Sequence, residues 1–184
     1  MSSSFIEFLQ QRYSNPNLCE PAPSASELEQ ILQSAMSAPD HAGLTPWQIT
    51  VVSGEARAKL AEAFVASVKA NGGDDAKLVK AEKMPFRAPM MLIVSTNYQD
   101  HPKVPECEQL ISAGCAAHAM QYAALSLGYN TMWRTGDMAF CHVVKEKIGI
   151  DTDNDIVGYL YLGTESKALA TKARKDFSEV TRYL

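Results

Sequence analysis

The stretch Glu106-Cys107-Glu108-Gln109-Leu110-Ile111-Ser112-Ala113-Gly114-Cys115-Ala116-Ala117-His118-Ala119-Met120-Gln121-Tyr122-Ala123-Ala124-Leu125-Ser126-Leu127-Gly128, followed by Tyr129–Gly136 (Tyr-Asn-Thr-Met-Trp-Arg-Thr-Gly), decides the fold. Its first part reads as one long helix over Glu106–Gly128 that ends at a glycine. Apolar side chains occupy nearly every face, which predicts a buried helix rather than a half-wet one. Gly114 and the alanines at 113, 116, 117, 119, 123 and 124 make it thin, so another backbone can come close. Glu108, Gln109, His118 and Gln121 interrupt it. A membrane span needs about 20 uninterrupted apolar residues, so no membrane association is expected. The helix is expected at the centre of the protein and at a subunit contact. The second part reads as a strand, Tyr129–Trp133, that breaks into a polar loop. Ligands of sheet proteins gather at such strand ends.

Working outward, the 184 residues suggest one domain over 1–184. Apolar content of 46% and charged content of 21% fit a globular chain. The formal charge of −4 comes with no basic block, which argues against nucleic acid. Cys19, Cys107, Cys115 and Cys141 form no Cys-x-x-Cys, and no Cys/His spacing matches a zinc site. The opening Met1-Ser2-Ser3-Ser4-Phe5 has no charged or apolar leader character. Free thiols without an export signal fit a reducing cytoplasm.

Ahead of the central stretch, Phe5, Ile6 and Leu9 give Ser4–Arg12 a short helical stripe. Ser24 or Ser26 caps a second helix, whose inward stripe is Leu28, Ile31, Leu32, Ala35 and Met36 and which Pro39 stops. A turn-rich loop, Ala38–Trp47, feeds a strand at Gln48–Val52. Glu55–Lys69 is a helix with Leu60, Phe64 and Val68 inward. Asp74–Lys83 is a polar surface helix. Met90–Ser95 is an apolar run that suits a strand covered on both faces. Behind the central stretch, Phe140–Ile148 is expected to be one helix and Ile156–Leu162 a strand. After Glu165 the chain is a polar arm ending in an apolar run, Val180–Leu184, that can pair as a strand with a neighbouring subunit. The count is four strands. The fold class is α+β: a small, mostly antiparallel sheet flanked by helices around a long buried central helix.

No dinucleotide glycine motif, phosphate loop or Gly-x-Ser-x-Gly elbow occurs. Cys141 beside His142 is no catalytic pair, because helix neighbours point about 100° apart. His118 reads as a core or interface histidine. Three polar clusters remain. Arg12-Tyr13-Ser14 follows a helix end, and reads either as a phosphate clamp or as a surface arginine at a helix C-terminus. Ser37-Ala38-Pro39-Asp40-His41 reads as a capped helix end or as a ligand-facing turn. Trp133-Arg134-Thr135-Gly136 offers a flat ring, a donor fork, a hydroxyl and a close-approach glycine, a set that can receive a flat heteroaromatic ligand.

Jointly the clusters are more specific. Glu20-Pro21-Ala22-Pro23, Ala38-Pro39-Asp40-His41 with Pro46-Trp47, Pro85-Phe86-Arg87-Ala88-Pro89, Lys103-Val104-Pro105, Ser112-Ala113-Gly114-Cys115-Ala116, Trp133-Arg134-Thr135-Gly136 and Ile156–Thr164 occur in this order. In them the chain resembles the FMN-dependent nitroreductase family, in its short NAD(P)H nitroreductase form, over nearly its whole length. The resemblance implies a nitroreductase-like fold and a homodimer with an exchanged C-terminal arm and two FMN sites at the interface. It implies hydride transfer from NADH or NADPH through FMN N5 to a small-molecule acceptor, nitroaromatic or quinone-like, in a ping-pong cycle. No protein group is implied as catalytic. The alternative is a non-catalytic flavin or nucleotide binder on the same scaffold. Arg12, Tyr13 and Ser14 would meet the phosphate and ribityl chain. Ser37 and His41 would meet the flavin of the partner-completed site, and Trp133, Arg134 and Thr135 would line the same cofactor. Ala123, Ala124, Leu125, Ser126, Leu127 and Gly128 would touch NAD(P). Two departures stand out: Tyr13 replaces a family arginine, and another is missing near Asn17. Both remove positive charge from the phosphate end, and Lys172 and Arg174 in the tail are the candidates to supply it.

Overall fold

In a computed structural model, which describes residues 4–170 and 173–184, the chain forms a five-stranded antiparallel sheet between two helical layers. The elements, in order, are α1 (Phe5–Gln11), β1 (Leu18–Cys19), α2 (Ala25–Ser34), β2 (Trp47–Ser53), α3 (Ala56–Ala70), α4 (Asp75–Lys83), β3 (Met90–Thr96), α5 (Glu106–Ser126), β4 (Asn130–Arg134), α6 (Asp137–Phe140), α7 (His142–Ile148) and β5 (Ile156–Glu165). β5 is the hub. It pairs with β3 from Ile156 to Leu162, with β4 from Tyr159 to Gly163, and with β1 at Thr164 and Glu165. β2 closes the far side of β3.

Strand alternation divides the core in two. Met91 and Ile93 of β3, with Tyr159 and Tyr161 of β5, face α3 and α7 and meet Leu60, Phe64 and Val144. Met90, Leu92 and Val94, with Leu160 and Leu162, face α2 and α5 and meet Ile31, Ala113, Ala116, Ala117, Met120 and Ala124. All seven residues of β3 are buried. Each large apolar side chain buried there contributes about 1.5–3 kcal/mol. On the α3 side, Tyr159 meets Phe64 edge-on at 5.4 Å and donates its hydroxyl to the Met138 carbonyl at 3.0 Å. Buried polar side chains tie α5 in place. Gln109 bonds the Gln99 amide and the Gln99 and Val104 carbonyls. Gln121 donates to the Thr131 hydroxyl of β4 at 3.1 Å.

Several expectations need correction. The central helix is not buried all round, because Leu110, Ile111 and His118 stand on an outer face and Ile111 is 66% exposed. Its all-round apolar pattern is satisfied within one chain only on the side facing the sheet. Met36 is 52% exposed, since the helix tightens into a 3₁₀ turn at Ala35–Ser37 and rotates it outward. Of the two serines expected to cap α2, Ser24 does so, in a capping box with Glu27. Phe140–Ile148 is not one helix: Cys141 is extended (φ −89°, ψ 117°) and separates α6 from α7. The strand count is five, because Leu18–Cys19 adds a pairing too short to leave a periodic signal. Phe177–Val180 forms a 3₁₀ turn, and the rest of the terminal run, Thr181–Leu184, is exposed and makes no strand within the chain. Among the described residues no helix is long and apolar enough to cross a membrane.

Gly158 of β5 lies beneath the Trp133 ring, and a Cβ there would meet Trp133 Nε1 at 2.0 Å. The rigid indole, which donates to the Val157 carbonyl at 3.2 Å, cannot step aside. Gly158→Ala should therefore cost about 1–3 kcal/mol through overpacking. The urea midpoint reads this out, and an unchanged midpoint would show that the ring moves freely.

Candidate functional site

The first cluster begins where α1 ends. After Arg12 the chain turns along β4, with the Asn15 amide donating to the Thr131 carbonyl at 3.2 Å and Ser14 bridged to Thr131. Arg12 Nη1 reaches Ser14 Oγ at 3.5 Å. From the tail, Arg174 returns to this point and donates to the Gln10 carbonyl at 2.8 Å and the Arg12 carbonyl at 2.5 Å. Lys172 lies outside the described residues. Tyr13 turns away to the Glu165 carboxylate, 2.5 and 2.6 Å from its two oxygens, and Asn130 donates to the same group at 3.1 Å. The bond to Glu165, then burial and the Glu165 charge, raise the Tyr13 pKa.

α1 is held to α5 by aromatic contacts. The Tyr122 hydroxyl donates to the Leu9 carbonyl at 2.9 Å, Phe8 packs against Tyr122 at 6.0 Å, and His118 meets Tyr122 edge-on at 4.8 Å. Partial burial, then the Arg12 charge, lower the His118 pKa.

The second cluster sits at the other end of α5. Ser37 donates to the Ser34 carbonyl at 2.7 Å, and His41 Nδ1 lies 2.9 Å from Glu108 Oε2. The loop presenting His41 is strained: Ala42 (φ 67°) and Thr45 (φ 49°) occupy the left-handed region. That conformation is costly for non-glycine residues and concentrates at sites that need it. The Asp40 carboxylate holds the loop by accepting from the Leu44 and Thr45 amides at 3.1 and 2.6 Å. Ser112 pins it to α5 through the Pro39 carbonyl at 2.6 Å. Glu108 and His118 are ten residues apart, or about 15 Å along a helix. One chain therefore does not bring Ser37 and His41 to Arg12.

The third cluster ends β4. Trp133 packs on the α5 side of the sheet, and Met132 on the α3 side. Arg134, opposite Tyr159, shares the Met132 face. Trp133 and Arg134 thus stand on opposite faces, and a ligand can use both only at the strand end. Thr135 is exposed, and Gly136 (φ 67°) turns the chain into α6 in a conformation few other residues adopt. Within Ala123–Gly128, Ala124 is buried in the core and cannot face a ligand, whereas Ser126 and Gly128 are exposed.

Sequence reasoning missed Glu165, Asn130, Tyr122 and Glu108. The residues were plain enough, but only the β4–β5 register and the packing of α1 on α5 reveal them as partners. Two open clefts, of about 430 and 410 Å³, lie elsewhere, one beside Cys141 and the other under loop 98–106. Cys141 is buried and His142 exposed, so no dyad forms. Burial pushes the Cys141 thiol up, but bonds from Ser67, the Val144 and Val143 amides and Asn71 outweigh it and leave it below its ordinary value. Among the described residues no group of His, Cys, Asp and Glu is placed to hold a metal.

Comparison with known proteins gives a consistent picture. The family model "Nitroreductase family" matches residues 9–164. Over 166 residues the chain is 40% identical to "Putative NAD(P)H nitroreductase YdjA" of Escherichia coli, covering 90% of this chain and 91% of that protein. A nitroreductase-like family protein from Bacillus cereus has the same fold, with a TM-score of 0.87 at 24% identity over 100% of this chain and 97% of its own. A nitroreductase with bound FMN from Bacteroides fragilis follows at 0.76 and 21% over the whole of both chains.

His118 makes a pH test. Its pKa is lower in the folded chain than its ordinary 6.5. The unfolded chain therefore takes up a proton that the folded one refuses. The His118 contribution is intact above about pH 6.5 and is lost as pH falls below it. His118→Gln should make stability fall less steeply between about pH 7 and pH 5.5, read from urea midpoints. Parallel curves for both proteins would remove His118 from the acid limb.

Proposed function

Because this chain belongs to the nitroreductase family, we propose that it is an FMN-dependent oxidoreductase that draws on NADH or NADPH and reduces nitroaromatic or quinone-like acceptors. The observation that carries this reading is that all three polar clusters lie inside the matched stretch, with two guanidiniums left free of carboxylate. Among the described residues neither Arg12 nor Arg134 has an ion pair. The donor chemistry fits FMN. Arg12, Ser14 and the returning Arg174 suit its phosphate end, and Trp133, Arg134 and Thr135 suit its flat ring. Tyr13 contributes less, because its hydroxyl is engaged by Glu165.

When bound, FMN supplies hydride transfer at N5, first from the nicotinamide and then to the acceptor, in a ping-pong cycle. The protein's part is positioning. Arg12 and Ser14 anchor the anionic end through charge-assisted bonds. Trp133, locked by Val157 and Gly158, walls the ring's side of the strand. Arg134 offsets negative charge at the strand end. On this reading no side chain is needed as acid or base.

The separation of Ser37 and His41 from Arg12 supports a homodimeric site, completed by the loop of a second copy. The exposed apolar residues on α1 and α5 support the same reading. Phe5 is 73% exposed and stands with Ile6, Leu110 and Ile111 on surfaces that one chain leaves uncovered. The exposed tail is suited to reach across such a dimer. Dependence on NAD(P)H and four free thiols favour a cytoplasmic location.

The purified protein should be yellow and should bleach anaerobically on addition of NADPH or NADH. Yellow protein that neither reductant bleaches would favour a non-catalytic flavin binder, and colourless protein that ignores excess FMN would refute both readings. Arg12→Ala should weaken FMN binding by about 1.5–3 kcal/mol, the scale of a hydrogen bond to a charged group. Fluorescence titration gives the dissociation constant, and an unchanged value would make Arg12 a surface residue only.

A further inference from the structure

Glu7 in α1, Glu27 in α2 and Glu108 in α5 all stand at the third position of their helix. A glutamate there usually reaches back to the backbone amide of the residue that caps the helix. Glu7 and Glu27 do so, in capping boxes with Ser4 and Ser24. α5 is preceded by Pro105, which has no amide to offer. The Glu108 carboxylate has no such cap to make. It reaches out instead to His41, with Oε2 2.9 Å from Nδ1.

The contact does little for the fold. The His41 and Glu108 side chains are 56% and 48% exposed, and an exposed pair of this kind adds little to stability. What it does fix is the ring. An ionised carboxylate only accepts, so Nδ1 carries a proton in either charge state of the imidazole. In the neutral ring Nε2 is then the acceptor. It has no partner among the described residues and, by the shape of an imidazole, points away from the edge that meets Glu108. The backbone under the ring is held from the same helix. Ser112, one turn beyond Glu108, donates to the Pro39 carbonyl at 2.6 Å. The Asp40 carboxylate accepts from the Leu44 and Thr45 amides. The loop keeps Ala42 and Thr45 in left-handed conformations, strain that persists only where the surroundings enforce it. Ring and backbone are thus both clamped to α5.

We propose that Glu108 is a positioning residue for His41. It holds the ring with Nδ1 as the donor, so that Nε2 faces outward as an acceptor for a hydrogen-bond donor on the ligand. The opposite tautomer would set an N–H against that donor and lose the bond. Under the proposed function the ligand is FMN, whose ribityl chain carries hydroxyls and whose ring carries an imide N–H. The inference rests on that reading for the identity of the ligand only.

Long-range proton–nitrogen NMR of the full-length protein freed of flavin reads the ring nitrogens, the His41 signals being those missing from His41→Ala. At the alkaline plateau of the ring shifts, where the imidazole is neutral, wild type should carry the proton on Nδ1. Glu108→Ala should move it chiefly to Nε2, which an unconstrained histidine ring prefers, with little change in the thermal midpoint. The same tautomer in both proteins overturns the proposal, as does a wild-type ring protonated on Nε2. Flavin titration gives a second readout. Glu108→Ala should raise the FMN dissociation constant about two- to tenfold, the scale of one neutral hydrogen bond, and should add nothing in a His41→Ala background. Equal losses in both backgrounds would show that Glu108 acts without His41 and would overturn the proposal. Because the tautomer is read without flavin, a protein in which Glu108 sets the ring but which never binds flavin would refute the proposed function and leave the Glu108–His41 assignment standing.

Discussion

The close approach of α5 to the sheet is the constraint on which the rest of this structure depends. Ala113, Ala116, Ala117 and Ala124 let the helix axis come near enough for Leu92, Val94, Leu160 and Leu162 to be covered completely. Larger residues there would open the layer at a cost of several kcal/mol. Because α5 is long and lies flat, everything attached to it is spaced along its length. The His41 loop is fixed near its start by Glu108 and Ser112, and α1 near its end by Tyr122. β4 then leaves its C-terminal turn carrying Trp133 and Arg134. A single rod thus sets both the positions of the candidate site residues and their separation.

Electrostatics sort the arginines into two kinds. Arg57 and Arg174 direct donors to backbone carbonyls, which fixes where their guanidiniums lie. Among the described residues Arg12, Arg87 and Arg134 have no ion pair. The negative charge that does lie near the first cluster, Glu165, is occupied by Tyr13 and Asn130. Tyr13, standing where the resemblance implies a second cation, spends its hydroxyl on Glu165.

Most of the layer structure was legible in the sequence, because hydrophobic period and punctuation agree. The runs at 48–52, 90–95 and 156–162, and the stripe Leu60, Phe64 and Val68, all fall where the structure has them. Legibility failed where a local pattern has more than one outcome. The break at Cys141 leaves no glycine or proline as a marker. The two-residue β1 is defined only by its partner. The apolar outer face of α5 looks the same in sequence whether this chain or another covers it. For the site, the three clusters were visible as residue types, but their placement was not. That Trp133 and Arg134 part to opposite faces follows from strand register, which no single stretch encodes.

The central claim is that the site is shared: one chain supplies Arg12 and the next supplies His41, because α5 holds them apart within either. Mixing Arg12→Ala protein with His41→Ala protein, after mild dissociation and reassociation, tests this directly by counting tight flavin sites. A shared site predicts that each variant alone binds flavin weakly and that the mixture regains tight binding, up to half the sites in each mixed pair. A mixture that binds no better than its two components would place both residues at a site within one chain, and would contradict the role of α5 as the spacer between them.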